Sequence, residues 1–207
     1  CMSLEQKIGQ LFMVAAYSNK NEHHFRHLDS LITHCHLGGL IFFQGGPLRQ
    51  AKLTNRYQAL AKIPLWIGMD AEWGLGMRLD STLSFPKQMT LGALQDNSLI
   101  YKMGKQLAYQ CRRLGVHISF SPVMDVNSNP DNPVIGVRSF GEDKEKVAMK
   151  GIAYMRGLQD NKVLACAKHF PGHGDTDTDS HLSLPIIKQD KKRIESLELY
   201  PFKRLIK

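Results

Sequence analysis

Leu65-Trp66-Ile67-Gly68-Met69-Asp70-Ala71-Glu72 is a short apolar run that ends abruptly on two acids. Residues 65–69 are too few for a helix and fit a strand buried on both faces. The acids fall where such a strand would end. The same pattern recurs at 11–16, 39–43, 117–121 and 164–167, each an apolar run followed by polar or glycine-rich sequence. Amphipathic stretches with helical spacing lie between these runs, at 23–34, 48–61, 98–114 and 144–160. Ser3-Leu4-Glu5-Gln6 reads as a capping box opening a short first helix. A sixth helix is expected from Asp190, with Ile194, Leu197 and Tyr200 on its buried side. Strands alternating with helices imply parallel strands joined by crossover helices.

Two α/β architectures use such units, and the loops choose between them. Gln44-Gly45-Gly46, then Asp70-Ala71-Glu72, then Asp125 with Arg138, and then the loop 168–181 follow four successive predicted strands. Polar groups spread over many strand ends are the habit of a closed barrel, whereas an open sheet gathers its ligand site at one switch point. Neither a GxGxxG fingerprint nor a P-loop occurs, and Gly45-Gly46-Pro47 reads as a tight turn with proline at a helix start. The expected fold is therefore α/β, a (β/α)8 TIM-type barrel. Such barrels typically need about 250 residues. Residues 1–207 are accordingly expected to supply the first five to six β/α units, the N-terminal part of an incomplete barrel.

Composition narrows the function classes. Hydrophobic residues make up 43% and charged residues 22% of the chain, a globular balance, and no apolar run approaches a bilayer span. The net charge is +8, and the last twenty residues hold seven of the bases against three acids. That cluster reads as a solvated helix face; with no zinc finger, RNP-type motif or basic stripe, no nucleic-acid partner is expected. The cysteines at 1, 35, 111 and 166 form no CxxC, so neither a zinc site nor a disulfide framework is suggested. Cys1 fits the lipid-bearing first residue of a mature bacterial lipoprotein as well as a residue left from a longer chain. Cytoplasm and periplasm or cell envelope both stay open, and nothing in the pattern bears on oligomeric state.

The densest chemistry is Lys168-His169-Phe170-Pro171-Gly172-His173-Gly174-Asp175-Thr176-Asp177-Thr178-Asp179-Ser180-His181. Asp175, Asp177 and Asp179 imitate the opening of a calcium loop, but its sixth and twelfth positions would be Ser180 and Ile186 instead of glycine and a bidentate acid. His169, His173 and His181 are metal-ligand types, but their spacing suits one helix, which Pro171, Gly172 and Gly174 deny. No metal or cofactor is therefore expected. Asp179 and His181, two apart in an extended loop, can point the same way. The carboxylate then fixes the imidazole tautomer and leaves the other nitrogen to give a proton.

These residues carry a resemblance. The loop, together with Leu4-Glu5-Gln6-Lys7-Ile8-Gly9-Gln10-Leu11-Phe12, Gly38-Gly39-Leu40-Ile41, Asp70-Ala71-Glu72, Ser121-Pro122-Val123-Met124-Asp125-Val126 and Arg138-Ser139-Phe140-Gly141, resembles glycoside hydrolase family 3. Within it the chain is similar to the bacterial β-N-acetylglucosaminidase branch. The resemblance implies a retaining enzyme acting on a carbohydrate substrate, with Asp179 and His181 as acid/base. It places the sugar hydroxyls against Asp70, Arg138, Lys168, His169 and Arg78, although the Leu75-Gly76-Met77 preceding Arg78 departs from the commonest pattern. It places the nucleophilic aspartate beyond Lys207, and Asp125 is read as a loop anchor. The expected activity is exo-β-N-acetylglucosaminidase, on glycans such as cell-wall fragments. The alternatives are a β-N-acetylglucosaminide phosphorylase and a catalytically inactive sugar-binding fragment.

Overall fold

A reciprocal cap starts the chain. The Ser3 hydroxyl accepts from the Gln6 amide at 3.3 Å while Gln6 Oε1 accepts from the Ser3 amide at 3.0 Å, opening α1 (Leu4–Gly9) as the capping box requires. The computed structural model describes residues 2–176, 186–187 and 189–206. After α1 come β1 (Met13–Ala16), α2 (Glu22–Cys35), β2 (Gly39–Phe42), α3 (Pro47–Leu60), β3 (Trp66–Met69), α4 (Gln88–Gly92), α5 (Ser98–Arg113), β4 (Ile118–Ser119), α6 (Lys144–Gln159), β5 (Leu164–Ala165), α7 (Lys191–Ser196) and α8 (Tyr200–Ile206). Local chemistry sets the helix starts. Asn21, Asp143 and Asp190 each turn a side-chain oxygen onto a first-turn amide of α2, α6 and α7, and Pro47 sits at the first position of α3.

All five strands are parallel and lie in the order β1-β2-β3-β4-β5. Register is set by pairs such as Met13 with Gly39, Gly39 with Trp66, Gly68 with Ile118, and Ile118 with Leu164. Strictly sequential order matters. With right-handed crossovers, every connecting helix falls on one face of the sheet, which is how a barrel wall is built. A doubly wound sheet would instead reverse its order at a switch point. The α/β barrel-type expectation holds for the described residues.

The core forms between sheet and helices. Leu40, Phe42, Ile67 and Met69 from the strands meet Tyr57 of α3, Ile100, Leu107 and Cys111 of α5, and Tyr154 and Leu158 of α6, all at most 1% exposed. Packing of α5 on α6 rests on two glycines. A Cβ on Gly157 would lie 2.4 Å from the Tyr101 carbonyl oxygen, and one on Gly104 would lie 2.7 Å from that of Tyr154. The helices touch backbone to backbone there.

The expected sixth helix differs from what is observed. It is broken into α7 and α8, and the buried residues are Glu198, Pro201 and Phe202; Ile194 and Tyr200 are only partly buried. Pro201 lacks an amide hydrogen, so a continuous helix would lose the bond back to Leu197 at that point; proline is instead accommodated in the first turn of α8.

Candidate active site

Each loop at the C-terminal end of β3, β4 and β5 sends charged side chains to one place. Asp70 directly follows β3, Glu72 stands two residues further, and Lys168 follows β5 by three. Lys168 Nζ reaches Asp70 Oδ1 and Glu72 Oε1, each at 2.8 Å, and so bridges the two acids. Arg138, from the 3-10 turn Gly136–Arg138, grips Glu72 with both arms, Nε to Oε2 at 2.9 Å and Nη2 to Oε1 at 2.7 Å. This parallel two-bond fork is the strong form of an arginine–carboxylate pair. Arg78 gives Nη2 to the other Asp70 oxygen at 2.6 Å, and its guanidinium lies 4.9 Å over the Phe43 ring at the end of β2.

His169 extends the network. Its Nε2 lies 3.2 Å from Arg138 Nη2, and its Nδ1 lies 2.7 Å from Asp125 Oδ2. A guanidinium can only donate, so Nε2 must accept and Nδ1–H must donate. That arrangement fixes the orientation of the ring. Asp125 is fully buried and also accepts the backbone amides of His169, at 3.1 Å, and His173, at 2.7 Å. It therefore anchors the loop after β5 and does not line the cavity. His173 is buried beside it, with its ring edge-on to His169 and its Nδ1 on the Thr176 hydroxyl. The loop enters through cis Lys168–His169 and Phe170–Pro171 peptide bonds. Gly172 holds a φ of 139°, which L side chains rarely adopt.

Electrostatics follow from the pairing. Burial pushes the Asp70 carboxyl up, but Lys168 and then Arg78 outweigh it and hold the group below its ordinary range. Burial raises Glu72 in the same way, and the Arg138 bonds with the Lys168 charge bring it below the usual carboxylate range. Burial disfavours the Arg138 charge, but Glu72 holds that guanidinium firmly protonated. Both acids are anions and all their cations are engaged.

These groups line a cavity of about 460 Å³, with Trp73, Met77 and Val134 forming its apolar wall. Asp70, Arg78, Arg138, Lys168 and His169, all named from sequence, meet in it. Asp179 and His181 lie outside the described residues, as does most of the acidic run considered for calcium. Among the described residues no group of three or more histidine, cysteine or acidic side chains could hold a metal ion. The sequence reading gave Glu72 no role, although it is 1% exposed and holds two cations of the site. Its position two residues beyond Asp70 was the available signal; its partner Arg138, 66 residues away, was not visible in the local pattern.

Residues 3–207 match the Glycosyl hydrolase family 3 N terminal domain. The chain is 37% identical over 193 residues to β-hexosaminidase A of Pseudoalteromonas piscicida, covering 87% of this chain and 32% of that protein. It is similar to the structure of a glycoside hydrolase family 3 β-N-acetylglucosaminidase from Paenibacillus sp. str. FPU-7, at 39% identity and a TM-score of 0.90, covering 100% of this chain and 40% of that one. It is also similar to a solved β-glucoside phosphorylase, at 26% identity and a TM-score of 0.91, covering 99% of this chain and 36% of that one. The chain thus spans 32 to 40% of the length of these relatives. The five parallel strands, the cavity at their C-terminal ends and the match over residues 3–207 agree: the chain belongs to glycoside hydrolase family 3, as a homologue of its β-N-acetylglucosaminidases.

Proposed function

We propose that this chain supplies the sugar-binding and acid/base half of a retaining exo-β-N-acetylglucosaminidase that removes terminal N-acetylglucosamine from glycans such as cell-wall fragments. The observation that carries the reading is the convergence of Asp70, Arg138, Lys168 and His169 from three strand ends on one cavity. A pyranose offers hydroxyls in fixed directions, and charged partners held rigid by one another give the strong, directional bonds that discriminate them. The names of the hexosaminidase relatives favour N-acetylglucosamine as the sugar.

Roles then divide. Asp70, Arg138, Lys168, His169 and Arg78 hold the sugar. Asp179 orients His181, whose imidazolium gives its proton to the glycosidic oxygen as the bond from that oxygen to the anomeric carbon breaks. A carboxylate contributed from beyond Lys207 forms the bond to the anomeric carbon in the same step. The imidazole next takes a proton from water, whose oxygen displaces the carboxylate and restores both groups. The sugar leaves with its anomeric configuration retained.

A second reading is phosphorolysis, favoured by the likeness to the β-glucoside phosphorylase structure. A histidine acid/base carries no negative charge, so it tolerates an incoming phosphate better than a carboxylate would. The test uses the polypeptide extended past Lys207, with an aryl β-N-acetylglucosaminide and with or without inorganic phosphate. Free N-acetylglucosamine under both conditions supports hydrolysis, and sugar 1-phosphate supports phosphorolysis. No cleavage under either condition sinks both enzymatic readings and leaves a sugar-binding or inactive chain.

A further inference from the structure

Arg138 and His169 meet across the site, yet they come from different loops, one after β4 and one after β5. Beside Asp125, a second side chain ties the Arg138 end of the first loop to the other. Asn132 is buried, and all the polar atoms of its amide are used. Its Oδ1 accepts the Val134 and Ile135 amides at 2.9 and 2.7 Å. Its Nδ2 donates to the His173 and Thr176 carbonyl oxygens, both at 2.8 Å. The orientation of the amide is fixed by chemistry: two N–H donors face one end and two carbonyls the other.

Both ends lead straight to the site. The Val134 carbonyl accepts Arg138 Nη1 at 3.2 Å, and the Ile135 carbonyl accepts the Arg138 amide at 2.7 Å. Asn132 Oδ1 therefore shapes the turn that aims Arg138. At the other end, His173 donates its amide to Asp125, the same carboxylate that orients the His169 ring. Asp125 also joins the two loops through its bonds to His169 and His173, but it lies well before the Arg138 turn; nearer that turn, Asn129 N meets the Gly174 carbonyl at 3.2 Å and Ser128 Oγ meets Asp175 at 3.5 Å.

We propose that Asn132 is a positioning residue that staples the Arg138 turn to the His169–His173 loop, so that the two sugar-binding groups keep one relative geometry. The link to sugar binding rests on the proposed function; the staple itself does not.

Two substitutions separate this role from simple turn formation. Asn132→Ala removes both ends of the staple. Asn132→Asp keeps an oxygen for the Val134 and Ile135 amides but sets a carboxylate oxygen against two carbonyl oxygens. A residue needed only for its turn tolerates aspartate, which suits such turns well; a staple does not. The polypeptide extended past Lys207 is compared as wild type, N132A and N132D, by amide hydrogen exchange over 133–138 and 168–176 and by the KM and kcat for an aryl β-N-acetylglucosaminide. The staple predicts faster exchange in both segments for N132D as well as N132A. It also predicts KM raised roughly tenfold, the order expected from losing two buried hydrogen bonds, with a much smaller change in kcat. A merely structural residue would lower the fraction of active protein and leave KM alone. N132D with wild-type exchange over 168–176, or with wild-type KM, overturns the proposal. Should the wild type cleave no such substrate, the activity reading fails separately; calorimetric affinity for N-acetylglucosamine then takes the place of KM, with the same two outcomes.

Discussion

Glu72→Gln removes one charge from the middle of the site and nearly nothing else. Glu72 is 1% exposed and accepts three short contacts, two from Arg138 and one from Lys168. Glutamine fills the same space, but its amide nitrogen must face a donor of Arg138 or Lys168, and its oxygen can satisfy only one side. Breaking a buried ion pair from one partner typically costs about 3–5 kcal/mol. Arg138 and Lys168 keep 20% and 15% of their side-chain surface in contact with water, which screens the loss. The expected cost is therefore at the low end, about 3 kcal/mol. For a domain of this size that lowers the unfolding midpoint by roughly 6–12 °C. Thermal unfolding followed by circular dichroism measures it at neutral pH. The pH dependence identifies the cause. Because the folded-state value of Glu72 lies below its unfolded value near ~4.3, its stabilisation is complete above that value and fades as pH falls through the folded value. The gap between wild type and variant must then narrow below about pH 4. A variant within about 0.5 kcal/mol of wild type at neutral pH, or a gap that persists unchanged into acid, would refute the ion-pair account.

Other outcomes follow from the packing and the site. Leu107→Ala, at a fully buried position of α5, should cost about 2–5 kcal/mol, read as a lower denaturant midpoint with an unchanged slope. Gly157→Leu should destabilise more than an ordinary helix-surface change, because its Cβ meets the Tyr101 carbonyl at 2.4 Å; a variant that melts with the wild type would mean α5 and α6 can separate freely. Lys168→Met should weaken affinity for N-acetylglucosamine, measured by calorimetry, since Asp70 loses the cation that does most to hold its carboxyl below the usual carboxylate range. Unchanged affinity would remove Lys168 from the sugar-binding set.

The fold was legible because each strand and helix announces itself locally. Runs such as 65–69 are apolar throughout, as strands covered on both faces must be, and Ser3, Pro47, Asp143 and Asp190 mark helix starts by side chains that act within one turn. What the pattern hid was long-range or unmarked. Helix α4 has five residues and no side-chain cap, yet its Gln88 amide bonds both the amide and the carbonyl of Val123, fixing the loop after β4. The charges of Asp70, Arg138 and Lys168 suggested a site, but the pairing of Glu72 with Arg138 and of His169 with Asp125 spans 66 and 44 residues, beyond any local periodicity. Asn132 stands in the turn-forming run Asn-Pro-Asp-Asn-Pro, and only the fold brings the carbonyls of His173 and Thr176 to its amide.

The central claim is that Asp179 and His181 move the proton while the described cluster holds the sugar. It is tested most directly by comparing wild type and His181→Ala, in the polypeptide extended past Lys207, across β-N-acetylglucosaminides of graded leaving-group acidity. A lost general acid is expected to cost about 10²–10⁴ in kcat/KM for poor leaving groups. For a dinitrophenyl leaving group, which departs without a proton, bond cleavage should change little, and affinity for N-acetylglucosamine should match wild type. Equal loss across all leaving groups, or loss of sugar affinity in step with turnover, would contradict the assignment.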